Sequence, residues 1–281
     1  MNFFNTYHPC EELQDVVEIY WHSKCDLEQP LVQEMYTPTL QALTFNLSGR
    51  HEDILLETEA MRMDKHCYLI GQPLSKRLSL SNPYGIDILG VKFTSLGLHL
   101  LTGIDMKHIS DKIIDASDIW NYEITLLYEE VLSKRSTLEQ IAAIEYFLKK
   151  KRRQQSANER IPLLNHTLHQ MENNNIFSVT QLRESNFITK KTFERYFLSF
   201  VGVTPKQYAN ICRFNNVRTY LDLLQTEVDW HNIVVNFGYY DQSHLIREFK
   251  RYAGKTPSEY VSLIPRTTTL EAEVSLQQLF A

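Results

Sequence analysis

The chain has 281 residues, 43% hydrophobic and 22% charged, with a formal net charge of −5, which fits about two globular domains and excludes collagen-like, mucin-like and wholly disordered chains. No apolar stretch approaches the roughly 20 residues that span a bilayer, and Met1–Asn5 lacks the basic start and apolar core of a signal peptide. Cys10, Cys25, Cys67 and Cys212 are scattered without a C-x-x-C pair, so the expectation is a cytoplasmic chain with reduced thiols and no membrane partner.

Charge divides unevenly along the chain. Residues 1–148 carry 11 Lys and Arg against 22 Asp and Glu, 149–160 carry 6 against 1, 161–265 carry 11 against 9, and 266–281 carry 1 against 2. Only the back half is suited to approach a polyanion. In the front half, β-favouring runs at Leu43–Leu47, Cys67–Ile70 and Ile86–Phe93 are divided by Gly49, Gly71, Pro73, Pro83 and Gly85. That spacing predicts an antiparallel barrel or sandwich. From Ile119 the apolar period becomes three and four, through Leu126, Leu127 and Val131, then Leu138, Ile141, Ile144, Phe147 and Leu148. This predicts a helical hairpin, whose second stripe is read as a dimer seam slightly in preference to core. Tyr7, Tyr20, Trp21, Tyr36, Phe45, Tyr68 and Phe93 cluster around the strands, so a small, mainly apolar ligand inside the barrel is weighed against a packed core.

The segment 149–160, Lys149-Lys150-Lys151-Arg152-Arg153 onward, is almost free of apolar residues. It reads as a helix end followed by a linker, dividing a front domain at 1–148 from a back domain at 161–264 and a tail at 265–281. The back domain repeats itself. Arg195, Phe197, Gly202, Thr204, Pro205 and Tyr208 recur 52 residues later as Arg247, Phe249, Gly254, Thr256, Pro257 and Tyr260. Such a repeat means two copies of one helical unit. Gly202 and Gly254 stand where a helix must stop. Thr204 and Thr256 are placed to cap the next helix, with Pro205 or Pro257 in its first position and Gln207 or Glu259 completing the box. Ahead of each copy, Ser178, Thr189 and Asp241 are placed to cap further helices, giving helix, tight turn, helix twice over. The long helix between the copies is expected from Pro205 to about Gln225.

The run Gly238-Tyr239-Tyr240-Asp241-Gln242-Ser243-His244-Leu245-Ile246-Arg247-Glu248-Phe249, continuing to Gly254-Lys255-Thr256-Pro257-Ser258-Glu259-Tyr260, resembles the signature of AraC/XylS-type transcription regulators. With the first copy it covers about residues 161–264. The resemblance implies a sequence-specific, double-stranded DNA-binding regulator without cofactor or enzyme activity, most often an activator. It implies two helix-turn-helix units entering successive major-groove segments about 34 Å apart. By position, the first reading helix would present Lys190, Lys191, Glu194 and Arg195, and the second Gln242, Ser243, His244 and Arg247. Lys and Arg suit guanine or phosphate, Gln suits adenine, and Glu suits the cytosine amino group, although Arg195 and Arg247 are also suited to surface ion pairs. Arg183 and Val234 stand where a small residue is usual, and Phe187 where glycine is. In the front half, Gly90–Ile104 with Ile109-Ser110-Asp111 and Asp118-Ile119-Trp120 looks like the β-rich regulatory domain that precedes this module in many such regulators. The fold class expected is therefore α+β, a β-rich barrel-like domain with a helical hairpin followed by an all-α double helix-turn-helix. A small-molecule effector, RNA polymerase and a second copy of the chain are the further partners implied.

Two alternatives are weighed against this. A metal-dependent β-barrel enzyme would use some of His8, His22, His51, His66, His99 and His108, but these show no H-x-H or H-x-x-x-H spacing. His166 and His169 read as a surface pair. A methyl-accepting repair protein fused to a related DNA-binding module would need four clustered cysteines, and the front half has three, irregularly spaced. No nucleophile motif or phosphate-binding loop is present, so no catalytic or metal site is assigned.

Overall fold

The structure, a computed structural model, describes residues 2–25, 31–35, 39–49, 52–56, 59–63, 66–74, 78–82, 85–153, 160–173, 177–185, 188–224 and 227–263. Tyr36, Phe187, Gln225, residues 154–159 and the tail 265–281 therefore lie outside the described residues. The strands are β1 (Phe3–Tyr7), β2 (Val17–Cys25), β3 (Leu31–Met35), β4 (Ala42–Asn46), β5 (Glu52–Leu56), β6 (Glu59–Met63), β7 (Cys67–Ile70), β8 (Leu78–Asn82), β9 (Ile86–Phe93) and β10 (Ile113–Asp115). The three strands expected from the sequence are β4, β7 and β9.

The ladders are antiparallel and form two sheets, ordered β1-β2-β9-β4-β7-β10 and β3-β8-β5-β6. The fold is α+β as expected, but the expected barrel closure is corrected: the larger sheet stays open, with β1 and β10 at its edges. Its two faces follow the strand period of two. Leu43 and Phe45 of β4 and Cys67 and Leu69 of β7 enter the main core, while Ala42, Tyr68 and Ile70 join Trp21, Leu40 and Ile113 on the other face. In β2 a register shift between Val17 and Ile19 lets Val17 and Tyr20 share a face, as an inserted residue does.

Helices rather than strand closure cover the main-core face. They are α1 (Gly97–Thr102), α2 (Ser117–Trp120), α3 (Tyr122–Ser133) and α4 (Thr137–Arg153). Ile141, Ile144, Phe147 and Leu148 of α4 are all buried in the same core as the sheet, and Trp120 meets Phe147 edge-on at 5.5 Å. The expected dimer seam is thereby corrected: of that stripe, only Leu138 is exposed, at 66%. An open sheet face needs an apolar cover, and the stripe supplies it.

The basic run is the end of α4, held by the acidic front half. Lys149 lies 3.5 Å from Glu12, Lys150 lies 3.0 Å from Glu123, Lys151 also reaches Glu123, and Arg152 lies 2.8 Å from Asp15.

The back half comprises α5 (Ile161–Asn173), α6 (Val179–Ser185), α7 (Lys190–Phe200), α8 (Pro205–Leu223), α9 (Trp230–Asn236), α10 (Gln242–Ala253) and α11 (Pro257–Leu263). Its stops and starts are those the repeat requires. Gly202 and Gly254 have φ of +93° and +68°, backbone that glycine adopts without a Cβ penalty. Thr204 Oγ1 accepts from Gln207 N while Gln207 Oε1 accepts from Thr204 N, and Thr256 and Glu259 repeat the exchange. Phe197, Tyr208, Phe249 and Tyr260 are buried. Val234 is buried as well, and Arg183 is half-buried and pairs with Glu184 at 2.8 Å.

The core does not divide where the sequence does. Leu164, Leu168, Phe193, Phe197, Phe200, Val201 and Tyr208 belong to the same apolar cluster as the front sheet, whereas α9, α10 and α11 pack with the later part of α8 in a separate cluster. At the junction the Phe200 ring lies 4.3 Å from that of His99. Gln41 Nε2 donates to the carbonyl oxygens of Ser95 and Val201, each at 3.3 Å. Glu172 accepts from Ser95 Oγ at 2.6 Å and from Tyr208 Oη.

Candidate nucleic-acid interface

α7 begins at Thr189, whose hydroxyl accepts from Thr192 N at 3.3 Å. Its inner face is Phe193, Phe197 and Phe200, all buried. That fixes which side chains point out: Lys190, Lys191 and Arg195 are exposed and Glu194 is half-buried. Lys190 lies 3.9 Å from Glu194, one turn on. Arg195 stacks its guanidinium 5.6 Å from the Tyr196 ring. Neither Lys191 nor Arg195 forms an ion pair with a described residue.

α10 is capped by Asp241, which accepts from His244 N at 2.7 Å. Leu245, Phe249 and Tyr252 are buried inside it. Gln242, Ser243 and Arg247 are exposed. Arg247 likewise forms no ion pair among the described residues. His244 is different: it is half-buried, its ring meets Tyr239 at 5.2 Å, and its Nδ1 accepts from Tyr240 N at 3.3 Å. Burial, with Arg213 and Arg247 close by, lowers its pKa below the ordinary 6.5, so the ring is neutral at pH 7. Of the four positions expected on this helix, three are exposed and His244 is half-buried against Tyr239.

Sequence reasoning passed over neighbours on the same surface. Ile246 is exposed one turn after Gln242, Lys250 follows one turn later, and Tyr240 at the bend is 91% exposed. The spacing 242, 246, 250 was available in the sequence as one helix face. Behind α10 sits a buried polar group. Arg213 of α8 lies between the rings of Phe177 and Tyr239, at 5.1 and 5.2 Å, with Glu248 3.8 Å away. Burial raises the Glu248 pKa, and Arg213 opposes that rise. This group fixes α10 against α8 and the bend before it.

The four cysteines are free thiols, and among the described residues no group of three His, Cys, Asp or Glu is placed to hold a metal ion. Among the same residues no helix is long and apolar enough to cross a membrane.

Residues 184–262 match the family described as Helix-turn-helix domain, and residues 5–115 match a Domain of unknown function (DUF6597). The back half carries an AraC-type helix-turn-helix domain. No curated protein matches the chain's sequence. Among solved structures it is similar to an apo form of ToxT from Vibrio cholerae, at 12% identity and TM-score 0.46 over 87% of this chain and 97% of that one. It is also similar to ToxT bound to an unsaturated fatty acid, at 13% identity and TM-score 0.43 over 88% and 99%. The AraC-like transcriptional activator CuxR is more distant, at 12% identity and TM-score 0.25 over 77% and 86%.

Proposed function

We propose that this DNA-binding regulator reads two successive major-groove segments, α7 in one and α10 in the next, and that its front half controls the reading. The division of labour we propose is regulation by 1–148, a joint at 149–160 and DNA binding by 161–264. Lys190, Lys191, Glu194 and Arg195 make the first set of contacts, and Gln242, Ser243, His244 and Arg247 the second. The observation that carries this reading is that both helices bury an aromatic face and turn outward cations, Lys191, Arg195 and Arg247, that no carboxylate of the described residues neutralises. Within the second set, Gln242 and Arg247 carry base contacts, while His244 orients the bend through Tyr239 and Tyr240. Control by the front half is supported by the shared core, which joins α7 to the sheet domain. RNA polymerase and a second copy of the chain, as partners, and a cytoplasmic location rest on the type of regulator alone.

The test is binding of the full chain to a library of genomic duplex fragments at several salt concentrations. Selected fragments should share two motifs one helical turn apart, and affinity should fall steeply with salt, as release of counterions from phosphates requires. Binding of every fragment alike, or no salt-sensitive binding, would sink the reading.

A further inference from the structure

Between the front half and α8 lies a cavity of about 390 Å³, at the low end of the range for small-molecule pockets. Apart from Phe93 and Cys212, the side chains that line it are polar or charged. Two of them are buried amides with unmet hydrogen bonds. Asn215 on α8 is 7% exposed, and neither its Oδ1 nor its Nδ2 has a partner. Gln41, ahead of β4 and 2% exposed, commits its Nε2 to two carbonyl oxygens and leaves Oε1 without a donor. Buried amides in this state are expensive and rare, and a cavity this size has room for several waters or a solute that supplies the missing groups. The charges lie in the same space. Glu18 and Lys92 form an ion pair at 2.8 Å on one wall, and Glu172 stands on the other beside Ser95. Two carboxylates against one ammonium favour a solute with positive charge, while the amides and Lys92 offer both donors and acceptors to its oxygens.

We propose that this cavity is the regulator's effector site and that it takes a small hydrophilic amine that also carries carbonyl, carboxylate or hydroxyl oxygens, of amino-acid or amino-sugar size. The site differs from the apolar barrel interior expected from the sequence in both place and chemistry. Its walls come from both halves, Gln41, Lys92 and Ser95 from one and Glu172 and Asn215 from the other, so an occupant ties the halves together. That it alters DNA binding rests on the regulator reading above; that it binds does not.

The experiment melts the full chain with the twenty free amino acids, glucosamine, galactosamine and putrescine, each at millimolar concentration, with oleate as the apolar arm. At least one amine bearing oxygens should raise Tm by several degrees and titrate calorimetrically with a stoichiometry of one. Asn215→Leu, checked for cooperative melting, should lose that shift; if it does not fold, Asn215→Asp should weaken binding of the same compound at least tenfold or change which amine is preferred. Amino acids and amino sugars responding differently would say which source supplies the amine. A flat panel, a response to oleate alone, or a shift unchanged in the folded variants would overturn the site. A compound that binds but leaves DNA affinity unchanged would overturn its effector role. A chain that binds the amine and no DNA would overturn the regulator reading while keeping the cavity assignment.

Discussion

At the scale of single residues, the outward side chains of α7 and α10 differ in how strongly the protein itself holds them. Lys191 and Arg247 have no carboxylate partner among the described residues, so little intramolecular energy is lost when they move onto DNA. Lys190, by contrast, shares its charge with Glu194. Lys255 stands in the short link after α10, beyond Gly254. Lys191→Ala and Arg247→Ala should therefore each weaken binding to a selected site by roughly 1–3 kcal/mol and relax preference at one position. Lys255→Ala should cost less, and equally on all sequences. Fluorescence anisotropy on wild-type and single-position variant sites distinguishes these outcomes; uniform loss with Arg247→Ala would reduce it to a phosphate contact.

At the scale of elements, α4 and α8 carry the structural load. Ile144 is fully buried in the core that α4 shares with the sheet. Ile144→Glu should therefore cost more than the roughly 2–5 kcal/mol of an Ile→Ala deletion and yield insoluble or unfolded chain, whereas Leu138→Glu on the exposed side should melt like wild type. Light scattering and thermal melting of the two variants check this; soluble, folded Ile144→Glu monomers would restore the dimer seam. On α8, removing Arg213 leaves Glu248 buried without its cation. Arg213→Ala should lower stability by about 3–5 kcal/mol, and adding Glu248→Gln should recover part of that loss, because a neutral amide is cheaper to bury than a carboxylate. A double variant no more stable than the single would show that Arg213 acts through ring packing alone.

At the scale of the whole molecule, the junction between the halves responds to pH in a direction set by Glu172. Burial, with Glu18 nearby, raises its pKa above the ordinary 4.5, and the hydrogen bonds from Ser95 and Tyr208 only partly offset this. A carboxyl whose folded pKa is raised favours folding in its protonated form. Its contribution is complete below pH 4.5 and is lost as pH rises through the folded value. Glu172→Gln, neutral throughout, should thus gain Tm relative to wild type as the buffer moves from pH 4.5 to pH 8; a constant difference would refute the assignment. Asp87 acts in the opposite sense. Partial burial is outweighed by hydrogen bonds from His22 and Lys24, which hold its carboxyl below the ordinary 3.8, so its contribution disappears in acid below that value. Gly202 tests the junction by geometry. A Cβ there would stand 1.9 Å from Ser110 Oγ and 2.9 Å from the Met106 carbonyl oxygen, at φ +93°. Gly202→Ala should cost more than about 1 kcal/mol and loosen the contact between the halves, visible as faster limited proteolysis.

The helical frame of the back half was legible in the sequence because its determinants are local. Thr204 with Gln207, Thr256 with Glu259 and Asp241 with His244 N lie within one helical turn of each other, and a periodic aromatic face leaves only one side of α7 and α10 for charge. β4, β7 and β9 were legible for the same reason, as β-favouring runs between glycines and prolines. Tertiary structure decided what depends on partners far along the chain. An apolar helical stripe looks the same whether it covers its own sheet or a second copy, so only packing assigned Ile141, Ile144, Phe147 and Leu148 to the core. A basic run reads as a helix end and a linker, but only the folded chain brings Glu12, Asp15 and Glu123 beside it. The half-buried setting of His244 depends on Tyr239 and Arg213, and the cavity around Asn215 exists only where two halves meet. Sequence periodicity specifies which face of an element is apolar, but it carries no record of what that face or its polar neighbours will meet.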